Sequence, residues 1–186
     1  MSPLYFPSEN QKELFRKELD HLSPTLWENL FIRGNYALFV QNSADGLEVY
    51  LISKEFVVDL KNEKLRRAVA TGGLLLGKIV QSRLRLDLEG AWEVNAKGGS
   101  PIPRVVLSGN GEKKFLYHQE VGWQDVLKAP EAIKEHLVVF VNNDRGENLG
   151  LAIIASVGTP GEKTVKKDVL ALRPIIDRGY YLRKAG

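Results

Sequence analysis

Apolar positions recur at helical spacing from the start of the chain. Leu14, Phe15, Leu19 and Leu22 fall on one face, and Ser8 with Gln11 three residues later has the spacing of a capping box. Ser23-Pro24 restarts the pattern, with serine as N-cap and proline at the first helical position. Leu26, Trp27 and Leu30 then form a second stripe, and both stripes, Trp27 included, read as core contacts. Tyr36 to Gln41 and Leu47 to Ile52 are runs of β-branched, aliphatic and aromatic residues joined by Asn42 to Gly46, which predicts an antiparallel hairpin. Lys54 to Ala70 returns to helical spacing through Phe56, Val57, Leu60, Leu65 and Val69, and Thr71-Gly72-Gly73 supplies a positive-φ position to end that helix. Leu75 to Val80 reads as a strand. Arg83 to Leu88 alternates strictly, which puts Arg83 and Arg85 on a wet face.

The rest of the chain changes character. Ala96 to Pro103 is a loop, Arg104 to Leu107 a short strand, and Ser108-Gly109-Asn110-Gly111 the strongest turn cluster. Val121 to Leu127 and Pro130 to His136 read as short helices. Leu137 to Val141, Leu149 to Ser156, Val169 to Ile176 and Gly179 to Leu182 read as strands separated by Gly- and Pro-containing turns, the pattern of a small β-barrel. The reading is an α+β chain: an N-terminal α/β domain with an antiparallel sheet and helices over 1–108, and a small β-barrel over 109–186.

Composition narrows the chemistry. The 186 residues include no cysteine, which excludes disulfides, thiolate nucleophiles and Cys-ligated metals, and the three histidines make a histidine-rich metal site improbable. No metal or cofactor is expected. No apolar run reaches the ~20 residues that span a bilayer, so no membrane partner is expected. The net charge of +3 is unevenly placed: residues 163–186 carry seven Lys/Arg against Asp168 and Asp177, a sum of +5, so residues 1–162 sum to −2. A basic end on a near-neutral chain points to a polyanion partner or to a solvated face.

Motifs of catalysis fail on context. Gly72 to Lys78 spells G-x-x-x-x-G-K, but Ile79 stands where a P-loop needs Ser or Thr, and the segment follows a helix and opens a strand. Gly109-Asn110-Gly111 lacks the third glycine of a dinucleotide fingerprint. Without a nucleophile, cofactor or metal signature, the chain reads as non-enzymatic. Asp177-Arg178-Gly179-Tyr180-Tyr181-Leu182-Arg183 interleaves cations with aromatics, with Lys163, Lys166, Lys167 and Arg173 upstream. Cations for phosphates and flat rings for unpaired bases are what RNA binding requires.

That heptapeptide resembles the closing strand of the PUA domain, an RNA-binding module. Lys114-Phe115-Leu116-Tyr117 resembles its entry strand, and Leu137 to Val141 with Leu149 to Ala152 its central hairpin. The order of an opening amphipathic helix, the Tyr36–Ile52 hairpin, Gly73-Leu74-Leu75-Leu76-Gly77-Lys78, an arginine-bearing strand and the Gly111-Glu112 turn is similar to the Nip-seven family of ribosome-biogenesis factors. The resemblance implies an α/β domain followed by a PUA domain, no catalysis, and a role in large-subunit rRNA maturation. It implies binding of single-stranded, uridine-rich RNA through Lys163, Lys166, Lys167, Arg173, Arg178, Arg183 and Lys184. Other ribosome-assembly proteins would dock on the N-terminal domain. The location would be cytoplasmic in an archaeon, which the lack of basic or disordered tails favours, or nucleolar in a eukaryote. One departure stands out. PUA modules usually follow Phe-Leu-Tyr with a glycine and a Val-x-Lys-x-Gly loop that approaches RNA, whereas here the run is His118 to Asp125, with Glu120 and Asp125 adding negative charge. A protein-interaction adaptor with a structural PUA-like domain, and an accessory chain of an RNA-modifying enzyme, are the alternatives.

Overall fold

The computed structural model describes residues 2–68, 72–99, 102–161, 170–180 and 183. The chain divides into two compact units, 1–101 and 102–186. In the first, α1 (Glu9–Leu22) starts at a full capping box between Ser8 and Gln11 and buries Phe15 and Leu19. The second apolar stripe is helical only from Leu26 and widens into a π-helical turn over Glu28–Ile32, closed by the Arg33 N–H on the Glu28 carbonyl at 2.8 Å. Ser23 does not cap it, because its hydroxyl donates to the Gly98 carbonyl at 2.8 Å. Trp27 packs against Phe31 with ring centroids 4.6 Å apart and the planes tilted by 47°, a packing role.

The hairpin forms as expected. β1 (Tyr36–Ser43) and β2 (Gly46–Ser53) pair antiparallel, with Ser43 opposite Gly46. β3 (Leu74–Val80) and β4 (Arg83–Leu86) extend the sheet in the order β1-β2-β3-β4. The single helix expected over 54–70 is two, α2 (Lys54–Leu60) and α3 (Glu63–Ala68), because the Asn62 carboxamide accepts from the Lys64 N–H and starts a new helix. Phe56 and Leu65, expected on the buried stripe, are 61% and 49% exposed. The alternating strand stops at Leu86 because Asp87 accepts from the Leu88 N–H and caps α4 (Leu88–Lys97), a helix the alternation hides. Gly90 lets α4 lie on β3: a Cβ there would come within 1.9 Å of the Leu76 carbonyl oxygen.

The second unit is a six-stranded sheet in the order β6-β10-β9-β8-β5-β7, built from β5 (Arg104–Leu107), β6 (Val121–Gly122), β7 (Val126–Lys128), β8 (Val138–Asn142), β9 (Asn148–Ile154) and β10 (Leu170–Asp177). The edge strands β6 and β7 are joined by the 3₁₀ turn Trp123–Asp125, so the sheet curls into a small, nearly closed barrel. β5 pairs parallel with β8 and antiparallel with β7. The turn cluster at Ser108–Gly111 therefore lies inside the second unit rather than at its border.

Four further expectations give way here. Ser108–Gly111 is not a turn. Ser108 caps α5 (Gly109–Leu116), accepting from the Gly111 N–H, so Lys114 to Tyr117 is a helix end and not an entry strand. Val121 to Leu127 is strand, 3₁₀ turn and strand, because Val121, Trp123 and Val126 all point into the barrel core. Pro130 to His136 is not helical and ends in a turn with His136 at φ +65°. The strand expected over Gly179 to Leu182 is absent at Gly179 and Tyr180: β10 ends at Asp177, and Tyr180 and Arg183 are helical, with the Arg183 N–H on the Gly179 carbonyl. Trp123 is fully buried in the barrel core, with Nε1 donating to the Ser156 carbonyl at 3.1 Å.

Candidate nucleic-acid interface

An open cleft in the second unit is lined mainly by α5. Its inner face buries Gly111 and Phe115. Gly111 is required there, since a Cβ would come within 2.8 Å of the Asp125 carbonyl oxygen. Its outer face carries Asn110, Lys113, Lys114 and Tyr117 at i, i+3, i+4 and i+7, one side of a helix. With Gln119 these residues line an open cleft of about 340 Å³. Tyr117 is 56% exposed. Lys113 is exposed and forms no ion pair among the described residues. The cleft thus combines a cation, an accessible aromatic ring and amide groups.

The acids that argued against RNA contact here are partly disarmed. Asp125 is buried, and its carboxylate accepts from Lys114 Nζ at 2.6 Å and from Asn110 Nδ2 at 2.7 Å. Its charge is neutralised within the unit rather than shown to a ligand. Glu120 is exposed.

The C-terminal end of α5 is closed by a Schellman motif: the His118 N–H bonds the Phe115 carbonyl and the Gln119 N–H the Lys114 carbonyl, both at 2.9 Å. His118 holds the left-handed position at φ +57°, where glycine is the usual residue and a non-glycine costs roughly 1–2 kcal/mol. Its side chain has a partner that a glycine would lack. His118 Nδ1 lies 2.9 Å from Oδ2 of Asp177, which is almost fully buried. Arg183 donates bidentately to the same carboxylate at 2.7 and 3.0 Å and also to the Leu116 carbonyl. Burial pushes the Asp177 carboxyl up, but the hydrogen bonds and charges of Arg183 and His118 outweigh it and hold the group below the ordinary carboxylate range.

Of the residues singled out from the sequence, Arg173, Arg178 and Arg183 are described. Arg173 is exposed on β10, opposite Ile153. Arg178 donates its Nε to the Asn148 carbonyl at 3.0 Å. Arg183 is committed to Asp177 and Leu116. Lys163, Lys166, Lys167 and Lys184 lie outside the described residues. The α5 residues were missed because Gly109-Asn110-Gly111 reads as a turn. The signal available was Ser108 three residues before Gly111, followed by the helical spacing of Asn110, Lys113, Lys114 and Tyr117.

A four-stranded antiparallel sheet with helices in the first unit, and a nearly closed barrel with a helix after its first strand in the second, make an α+β architecture whose second unit is PUA-like. Residues 104–186 match the UPF0113 PUA domain. The chain is similar to a UPF0113 protein of Aeropyrum pernix, 34% identical over 128 residues, which cover 66% of this chain and 66% of the relative, just under two thirds of its length. Among solved structures, a conserved PUA domain protein from Thermoplasma acidophilum matches with a TM-score of 0.62 and 15% identity over 98% of both chains. A PUA domain from Aeropyrum pernix in a tartrate complex matches with a TM-score of 0.58 and 10% identity, over 98% of this chain and 89% of that one. At these identities the structural likenesses establish the fold.

Proposed function

We propose that the protein is a non-enzymatic RNA-binding factor that takes single-stranded, uridine-rich RNA on its PUA domain during large-subunit ribosome assembly in the archaeal cytoplasm. The PUA domain is generally associated with RNA binding, and the observation that carries the reading here is the outer face of α5. There Lys113 supplies positive charge beside the exposed Tyr117 ring, with Asn110 and Gln119 as hydrogen-bonding groups, while Lys114 is paired with Asp125. Phosphate contacts provide most of the affinity, and stacking on Tyr117 holds one unpaired base, worth about 1–3 kcal/mol. The basic segment with Lys163, Lys166, Lys167 and Lys184 adds cations to the same polyanion, and Arg173 extends the basic surface.

The test is a fluorescence-anisotropy titration of the full chain with a uridine-rich oligonucleotide. Tyr117→Ala is expected to weaken binding roughly 5- to 150-fold, the stacking energy expressed as a ratio. Lys113→Glu, and the pair Lys166→Glu with Lys167→Glu, are expected to weaken it across RNA sequences alike. Wild-type affinity in all three would sink the assignment. A second reading, an adaptor that docks assembly proteins on the N-terminal unit, is favoured by the exposed Phe56, Val58 and Leu65 of α2 and α3. It predicts no RNA affinity at low salt.

A further inference from the structure

The cluster at Asp177 concerns residues that the sequence places among the RNA contacts and the structure ties down instead. Asp177 ends β10, and its side chain is 1% exposed. Both its oxygens are used: Arg183 takes them bidentately, and His118 takes Oδ2 as well. Arg183 also reaches the Leu116 carbonyl, in the last turn of α5. Gly179 is pressed against that carbonyl so closely that a Cβ would sit within 1.7 Å of its oxygen. One buried carboxylate thereby links the end of β10, the C-terminal helical residue Arg183 and the left-handed residue that closes α5. The two residues flanking His118, Tyr117 and Gln119, line the cleft.

We propose that Asp177, Arg183 and His118 are positioning residues of the RNA surface: they latch the end of α5 so that Tyr117 and Gln119 are held ready for the ligand, and Arg183 itself makes no phosphate contact. The geometry assigns Arg183 this role because its guanidinium fork is filled by one carboxylate and a backbone carbonyl. His118 fits the same role. A glycine would suit the backbone better at this position, and what the imidazole adds is the bond to Asp177. The inference rests on RNA binding at the α5 face, and its test separates the two.

Arg183→Gln and His118→Gly are titrated with the uridine-rich oligonucleotide over a range of salt. His118→Gly relieves the left-handed backbone, so it keeps the fold while cutting one arm of the latch. Both variants are expected to bind several-fold more weakly with the wild-type dependence of log K on log salt. A direct phosphate contact would instead lower that slope by about 0.7 for single-stranded RNA. A lowered slope in Arg183→Gln, or wild-type affinity in both variants, overturns the proposal. Hydrogen exchange of the RNA-free protein supplies an independent arm. Arg183→Gln should speed exchange at the His118 and Gln119 amides, which bond the Phe115 and Lys114 carbonyls. Unchanged exchange there overturns the latch whether or not RNA binds. If the wild type binds no RNA, the binding proposal fails by itself and exchange alone decides the latch.

Discussion

Asp177 shows how a single residue answers to two environments. Burial disfavours its charge, and Arg183 with His118 more than restores it, so its folded pKa lies below that in the unfolded chain. A depressed carboxylate stabilises the fold above its unfolded pKa and loses that contribution as pH falls through the folded value. The expected outcome is a loss of thermal stability on acidification below about pH 4 that is shallower in Asp177→Asn, read as the midpoint of thermal unfolding against pH. An identical slope in the variant would contradict the account. Tyr50 in the first unit has the opposite sign. Burial and its bond to Glu48 at 2.8 Å push its phenol up to about 12, so its contribution is present below the ordinary tyrosine range and is lost as pH rises toward that value. Residue motifs alone did not announce Asp177. In the sequence it is one acid inside a basic, aromatic heptapeptide, and only the fold brings it to His118, which lies 59 positions away.

At the scale of the element, the sequence was most legible where a side-chain pattern and a cap agreed. The Ser8–Gln11 box and its apolar face define α1, and the β1–β2 hairpin follows from two apolar runs around a polar turn. It misled where local composition and tertiary packing disagreed. Glycines at 109 and 111 signal a turn, yet Ser108 caps a helix whose Gly111 must be small because the Asp125 backbone lies against it. Helical spacing at Val121 to Leu127 is overridden by the barrel, which closes its edges through that segment and buries Trp123 at the seam. That packing predicts that Gly158→Ala destabilises by about 1–3 kcal/mol, since its Cβ would come within 2.4 Å of the Trp123 ring. Chemical denaturation measures it, and a neutral result would show that the ring has room to shift. The β3–β4 turn offers the reverse test. Gln81 and Ser82 both have positive φ, the geometry that favours Asn-Gly, so Ser82→Gly is expected to stabilise by a few tenths to about 1 kcal/mol in the same assay.

On the scale of the whole molecule, the fold class was readable and the border between units less so. The alternation of helices and strands early and short strands late implied an α/β unit before a barrel, and the two sheets have that order. The border was set by the turn cluster, whereas β5 joins the barrel through non-local pairing with β8, which no local pattern reveals. The candidate site was legible in the sequence only as a basic segment, four of whose cations, Lys163, Lys166, Lys167 and Lys184, lie outside the described residues. The charge count pointed to a polyanion. The described arginines of the heptapeptide prove to be engaged with the unit's own carbonyls and Asp177, while an aromatic and cationic face appears on α5. If phosphates supply the affinity, log K of the full chain for RNA falls linearly with log salt. Photo-crosslinking tests the placement of that interface most directly. The full chain is bound to a uridine-rich oligonucleotide carrying 4-thiouridine, irradiated, and the adducts are located by mass spectrometry. The account predicts adducts on Tyr117 or within the peptide from Lys113 to Gln119, and RNA that binds yet crosslinks only to residues 1–101 would contradict it.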